Sequence, residues 1–414
     1  MIHSGAPVRM AGLVVIDHEV EVPLDHAQPG AATITIFARE VALPEGTDRP
    51  YLVYLQGGPG HEASRPTGSP ISPSWLQRAL QDYRVLFLDQ RGTGRSTPVG
   101  RLCGLSASAQ AEYLSHFRAD SIVADLEILR SGLGADRWSL LGQSFGGFCA
   151  LRYLSAAPEG LLEVYFTGGL PPVGHPVDAV YQATYERMAV RNHRYYQAFP
   201  GDKERVLALQ RRLLEERILL PGADRLSPRR LRQLGIMLGM SDGPQRLHYL
   251  LELPPDSPAF LHDLEGALGF ARNPLYAIIH EACYADGAPT RWSAERVQPQ
   301  LFRDQPELFT GEHVFPWMFE EYGALVPLRE AAGILADWPW PRLYDAGRLR
   351  ANQVPAAAAI FAEDPYVERR FSEETAELVA GLRPWITNEY EHNALRVDGS
   401  RVLDRLIKLA RGLA

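Results

Sequence analysis

Trp138-Ser139-Leu140-Leu141-Gly142-Gln143-Ser144-Phe145-Gly146-Gly147 is the stretch that decides the fold class. Residues 138–141 read as a short buried strand and residues 148–157 as a helix. The intervening Gly142-Gln143-Ser144-Phe145-Gly146 is therefore a G-x-S-x-G pentapeptide on a strand-to-helix turn. A serine on such a turn is held in strained backbone geometry with its hydroxyl above the sheet edge, and flanking glycines remove the clashes that side chains would bring. The start of the following helix favours negative charge nearby. A pattern with three fixed positions arises often by chance. The strand before it, the helix after it and the extra Gly147 give this one its weight, and Ser144 is the expected nucleophile.

Outward from the elbow, strands alternate with helices. Period-2 or continuous apolar runs at 13–22, 33–37, 51–55 and 84–89 read as strands. Ile122, Leu126, Leu129 and Leu133 mark one face of a helix, and Val164 to Thr167 gives another strand. Gly168-Gly169-Leu170-Pro171-Pro172 then opens about 170 residues of different character, rich in Arg, Leu and Tyr with long helical patterns. Strand character returns at 355–361 and 384–387, before a terminal helix carrying Val402, Leu406, Leu409 and Leu413. The pattern predicts an α/β-hydrolase core, a mostly parallel sheet with flanking helices, interrupted by a mainly helical cap. The expected boundaries are 1–172 for the first part of the core, 173–350 for the cap and 351–414 for the second part.

The chain of 414 residues carries a formal charge of -8, and no basic run is dense enough to track a phosphate backbone, which argues against a nucleic-acid partner. Cysteines at 103, 149 and 283 form neither a paired scaffold nor a close-spaced metal cluster. No basic start leads into an apolar stretch, and no run of about 18 apolar residues occurs, so no membrane association is expected and a cytoplasmic location is. Asp89-Gln90-Arg91-Gly92-Thr93-Gly94-Arg95-Ser96 has glycines but no following Lys, so it is not a phosphate loop. It reads instead as a strand-end turn whose Asp89 and Arg91 make local ion pairs that brace the site.

A nucleophilic serine needs oxyanion donors, a base and an acid. One donor is the backbone N–H of the residue after the nucleophile, here Phe145; the second comes from a loop after an earlier strand. Gln56-Gly57-Gly58-Pro59-Gly60 follows the strand at 51–55, with Gly57 the preferred donor and Gly58 next. The chain order of the fold is serine, acid, histidine, so the base lies near the C-terminus. Among twelve histidines His392, just beyond the last strand, fits that order. The acid belongs in the loop after 356–361, where Asp364 is preferred to its neighbour Glu363, because adjacent residues of extended chain project to opposite sides. No metal and no organic cofactor enters this chemistry.

Together these residues resemble the proline iminopeptidase family, serine peptidases with an α/β-hydrolase core and a helical cap. Gln56 to Gly60 is similar to its H-G-G-P-G loop, Asp89 to Ser96 to its D-Q-R-G-x-G-x-S segment, and Gly142 to Gly147 to its G-x-S-x-G-G elbow. Asp364 and His392 fall where the family places its acid and base. Gln56 stands where histidine is usual and Phe145 where many members carry tryptophan; neither change removes a catalytic group. The resemblance implies release of N-terminal proline from a peptide with a free N-terminus, the amine being held by carboxylates of the cap. Glu281 is the first choice for that role, with Glu312, Glu320 and Glu321 as the others in the insertion. An esterase or broader aminopeptidase on the same machinery is the nearest rival reading, and a non-catalytic ligand binder a more distant one.

Overall fold

The computed structural model describes residues 2–414. Ten strands form one sheet: β1 (Ile2–Ser4), β2 (Val8–Met10), β3 (Leu13–Pro23), β4 (Thr33–Ala42), β5 (Tyr51–Leu55), β6 (Arg84–Asp89), β7 (Trp138–Gln143), β8 (Leu161–Thr167), β9 (Ala356–Phe361) and β10 (Leu382–Thr387). Their order is β1-β3-β4-β6-β5-β7-β8-β9-β10, with β2 pairing β3 outside that path. From β6 through β10 every neighbour is parallel, whereas β1 to β4 and the β4–β6 pair are antiparallel. The central strands are buried on both faces, so they read in sequence as unbroken apolar runs, while β3, at the antiparallel end, shows alternation.

Strand alternation feeds two cores. Val53, Leu55, Leu140, Ala356 and Ala358 face one, and Leu52, Tyr54, Leu141, Ala357 and Ala359 the other. Helices Ala119–Gly132, Phe145–Ala156 and Arg369–Leu378 cover the first face; Ser74–Asp82 and Gly399–Ala410 cover the second. The alanine run in β9 has weak strand preference of its own. Its placement between β8 and β10, with all six residues buried, overrides that preference.

The strands stop at Thr167 and resume at Ala356, and the chain between them is helical with extended connections. It is not uniform in what it packs against. Tyr185, Leu209, Leu213, Leu247, Leu264 and Phe309 belong to a third core, separate from the sheet. Leu275 to Ala285 and Val314 to Leu349 pack instead into the first face of the sheet. Two arginines fasten this returning segment: buried Arg118 donates to the carbonyls of Ala285 and Pro341 at 2.8 and 2.9 Å, and half-buried Arg152 to that of Leu343 at 2.7 Å.

The turn after β6 is braced, but its ion pairs are made with partners distant in sequence rather than within the turn. Asp89 accepts both arms of Arg65 at 2.8 and 2.7 Å and the N–H of Arg95 at 2.9 Å. Arg91 is fully buried; it grips Asp125 at 2.7 and 2.5 Å and donates to the carbonyls of Pro23, Leu24 and His116. A guanidinium in that position is tolerated because each arm has a partner. Asp125→Ala is expected to destabilise the protein by about 3–5 kcal/mol, since it leaves the Arg91 charge uncompensated. Urea unfolding of the variant beside wild type measures the loss.

Candidate active site

Ser144 sits between β7 and helix Phe145–Ala156 with φ 53° and ψ -125°, a backbone conformation that L side chains rarely adopt. Two contacts hold it there. Its N–H donates to the Thr167 carbonyl at 3.0 Å, and its carbonyl accepts from the Gly147 N–H at 2.7 Å. The turn is packed against neighbouring backbone: a Cβ on Gly146 would collide with the Leu55 carbonyl, and one on Gly169 would come within 2.5 Å of the Ser144 carbonyl oxygen. Only a main chain without side chains fits on these sides of the serine.

The loop after β5 approaches from the other side. A Cβ on Gly57 would stand 2.9 Å from the Ser144 Cβ, so the Gly57 backbone borders the serine directly, and the Phe145 N–H opens the helix behind it. Gly58 follows with φ +137°, and a Cβ there would stand 2.8 Å from His61 Nδ1. Gln56, in the position where the family carries histidine, accepts the Tyr54 hydroxyl at 3.0 Å, and its carbonyl accepts from the Gln90 side chain at 2.9 Å. That substitution acts on packing beneath the loop.

His392 and Asp364 are brought together from the loops after β10 and β9, with the imidazole Nδ1 2.6 Å from Asp364 Oδ2. The second Asp364 oxygen accepts the N–H groups of Tyr366 and Val367 at 2.9 and 3.2 Å. Glu363 points elsewhere and pairs with Arg194. The His392 ring lies edge-on to Tyr366 at 4.7 Å, and its backbone N–H donates to the Gly239 carbonyl at 3.2 Å. Gly168 joins this pair to the serine. A Cβ there would be 3.1 Å from His392 Nδ1, while its neighbours Thr167 and Gly169 touch the Ser144 backbone. In the sequence the Gly168-Gly169 pair reads only as a breaker; its position straight after a central strand is the signal that the backbone there must stay thin.

Burial disfavours the imidazolium of His392, but the Asp364 carboxylate, with smaller help from Glu312 and Glu391, outweighs it and lifts the pKa above its ordinary 6.5. Ser144 and His392 are not hydrogen-bonded to each other among the described residues, so the pair and the serine stand adjacent and unjoined. Among those residues no group of three His, Cys, Asp or Glu side chains is placed to hold a metal ion.

The acids of the insertion are distributed unequally. Glu281 is buried and caps the turn at 293–296: its oxygens accept the N–H groups of Ser293 and Ala294 at 3.1 and 2.8 Å, and burial pushes its pKa up to about 7 despite those bonds. Glu320 is exposed and pairs with Arg329 at 2.7 Å. Glu321 accepts from Ser227 at 2.5 Å and from Arg229 at 2.7 Å. Each of these carboxylates is occupied by a partner of its own. Glu312 differs, because it holds only the Tyr276 hydroxyl, at 2.7 Å, and its charge acts on His61, His280, Tyr284, Tyr366 and His392. Of the four candidate acids, it is the one whose charge is felt both at His392 and at His61 beside the glycine loop. From Tyr276 a series of tilted and edge contacts runs through His280, Tyr284 and Phe148 to Phe145, the residue after the serine.

The alpha/beta hydrolase fold family matches residues 50–395. A solved 2-hydroxy-6-oxo-6-phenylhexa-2,4-dienoate hydrolase from Rhodococcus sp. strain RHA1 superposes with a TM-score of 0.46 at 14% identity, over 96% of this chain and 99% of that one. A proline iminopeptidase of Aeromonas sobria is 48% identical over 410 residues, which span 95% of this chain and 96% of that protein. A proline iminopeptidase of Aspergillus aculeatus is 35% identical, over 94% of this chain and 92% of its own length.

A serine made nucleophilic by His392 requires the neutral imidazole, so its reactivity falls as pH drops through a midpoint above 6.5. Asp364→Asn removes the largest influence raising that midpoint. The variant is expected to show a midpoint at lower pH and a plateau about 10⁴-fold lower. The rate of Ser144 phosphonylation by a fluorophosphonate, followed against pH in both proteins, measures both changes.

Proposed function

Since the chain belongs to the proline iminopeptidases of the α/β-hydrolase family, we propose that it releases N-terminal proline from peptides, with Ser144 as nucleophile, His392 as general base and Asp364 as the acid that orients it. The observation that carries this reading is 48% identity sustained along 95% of the chain. The contact between Asp364 and His392 and the strained backbone of Ser144 support it. His392 takes the Ser144 proton as the hydroxyl attacks the carbonyl of the N-terminal residue, and Asp364 holds the ring by Nδ1 and stabilises the imidazolium. The Phe145 and Gly57 N–H groups, with Gly58 beside them, receive the oxyanion. The imidazolium returns its proton to the departing amine. The prolyl ester on Ser144 is then hydrolysed by water that His392 deprotonates.

Recognition of a free amine needs a carboxylate near the serine that is not already spent. Glu281, Glu320 and Glu321 are engaged elsewhere, so Glu312 takes over the role expected first of Glu281. Its single tyrosine partner leaves lone pairs for an ammonium, and the rings of Tyr276, His280 and Tyr284 supply apolar walls for a pyrrolidine. A cytoplasmic location, with peptides bearing a free N-terminus as substrates, accords with three unpaired cysteines. No helix of the described residues is long and apolar enough to cross a membrane.

Turnover of proline and N-acetylproline p-nitroanilides by wild type and Glu312→Gln tests the reading. Wild type is expected to prefer the free amine strongly, and Glu312→Gln to raise KM for it about 10–100-fold, the value of one charge-assisted bond. The same variant removes a charge that raises the His392 pKa, so the acid limb of kcat/KM moves to lower pH. Equal hydrolysis of the acylated substrate would reject amine recognition and leave a serine hydrolase without a requirement for a free N-terminus.

A further inference from the structure

A cleft of about 1040 Å³ opens beside the glycine loop, bordered at one end by Gln56 and His61 and at the other by Arg230 and Tyr322. It is of the size that takes an oligopeptide rather than a single residue. An enzyme that detaches one N-terminal residue must place the rest of the peptide somewhere on the far side of the scissile bond. Tyr276, whose hydroxyl donates to Glu312, also lines this cleft, so the cleft leads away from the side where Glu312 lies.

Its far end is built for an anion. Arg230 is 1% exposed and Tyr322 2%, yet Arg230 Nε and the Tyr322 hydroxyl have no hydrogen-bond partner among the described residues. The guanidinium lies over the Tyr322 ring at 3.9 Å, and its Nη1 meets Asp224 Oδ2 at 3.1 Å and the Arg225 carbonyl at 3.5 Å. Asp224 is half-occupied by a second donor, the Gly323 N–H at 3.1 Å. Both residues line the cleft, and a buried donor left without an acceptor is costly. Four arginines and three carboxylates line the cleft; Arg65, Arg230 and Arg272 each pair with a carboxylate, while Arg101 and Glu265 have no charged partner among the described residues.

A continuous wall connects this end to the reaction centre. Ring contacts run from His61 to Tyr276 at 5.4 Å, from Tyr276 to Phe270 at 5.9 Å and from Phe270 to Tyr322 at 4.9 Å. At ~3.4 Å per extended residue, that path is spanned by a leaving peptide of about five residues or fewer. Accepting the aminopeptidase reading above, we propose that Arg230 and Tyr322 form a subsite for a carboxylate of the leaving peptide, which makes short peptides with a free C-terminus the favoured substrates. The guanidinium supplies a planar donor to the carboxylate and the tyrosine hydroxyl a second one, as in charge-assisted recognition generally.

The test compares kcat/KM for proline followed by one to five alanines, each as free acid and as C-terminal amide, with proline p-nitroanilide run alongside. A further amidated series carries glutamate in place of one alanine. Wild type is expected to prefer the acid over the amide about tenfold or more at one length, with little preference at the shortest. Arg230→Gln should bring that acid-to-amide ratio to near one, and Tyr322→Phe should narrow it several-fold. Because the ratio is taken within each variant, a general loss of activity or of folded protein cancels; Arg230→Lys, which keeps the charge without the fork, gives an intermediate ratio. Restoration of the preference by the amidated glutamate peptides would assign the subsite to a side-chain carboxylate instead of the C-terminus. A wild-type ratio near one at all lengths and with glutamate, while proline anilide is cleaved, overturns the subsite and leaves the aminopeptidase intact. Failure to cleave any proline substrate overturns the aminopeptidase reading itself.

Discussion

The site depends on how closely backbone can approach backbone around Ser144. The serine is held at φ 53°, in a conformation costing about 1–3 kcal/mol, and it stays there because Leu55, Gly146, Thr167 and Gly169 crowd it from both neighbouring strands. A side chain at Gly146 would meet the Leu55 carbonyl at the end of β5, and one at Gly169 would meet the Ser144 carbonyl itself. The strain is therefore balanced by the sheet order, which puts β7 between β5 and β8 and brings the loops after those strands to the serine. One loop provides Gly57, the other Gly168 against the His392 ring.

The helical insertion is more than a cover. His392 hangs by its backbone from Gly239, and Asn393 accepts the N–H and hydroxyl of Ser241 at 3.0 and 2.9 Å. Arg191 donates to the Glu363 carbonyl at 2.7 and 3.1 Å and forks onto Glu391. The loops that carry the acid and the histidine are thus tied to the insertion by charge-assisted bonds on both sides of the 2.6 Å contact between them. Motion of the insertion relative to the sheet would be felt first in the orientation of the imidazole. The same insertion supplies both Glu312 and, through Tyr276, Arg230 and Tyr322, part of the cleft wall, all remote in sequence from the nucleophile.

Much of this was legible in the residue order. Buried parallel strands such as Tyr51–Leu55 and Trp138–Gln143 announce themselves as apolar runs, and the G-x-S-x-G turn between strand and helix carries its own mechanical reason. Asp364 and His392 follow from chain order because the topology leaves few places for them. The short edge strands β1 and β2, three exposed or half-exposed residues each, carry too little apolar pattern to be read. The insertion resisted more strongly. Glutamates look alike in sequence; what separates Glu281, spent on capping a turn, from Glu312, whose charge reaches the histidine, is the packing of segments 12 to 36 residues apart, which periodicity does not report. Arg230 and Tyr322 were invisible for the same reason, since neither motif nor spacing marks a donor left without an acceptor.

The central claim is that Ser144, poised by this backbone clamp, carries the prolyl group between the two halves of the reaction. Acid-quenching the enzyme within its first turnover of a proline aryl ester, followed by peptide mapping by mass spectrometry, tests it most directly. The account predicts a prolyl adduct on the peptide containing Ser144, at the serine oxygen, disappearing as turnover is allowed to proceed. Product release with no adduct under conditions that trap rapid intermediates, or an adduct on any other residue, would contradict it.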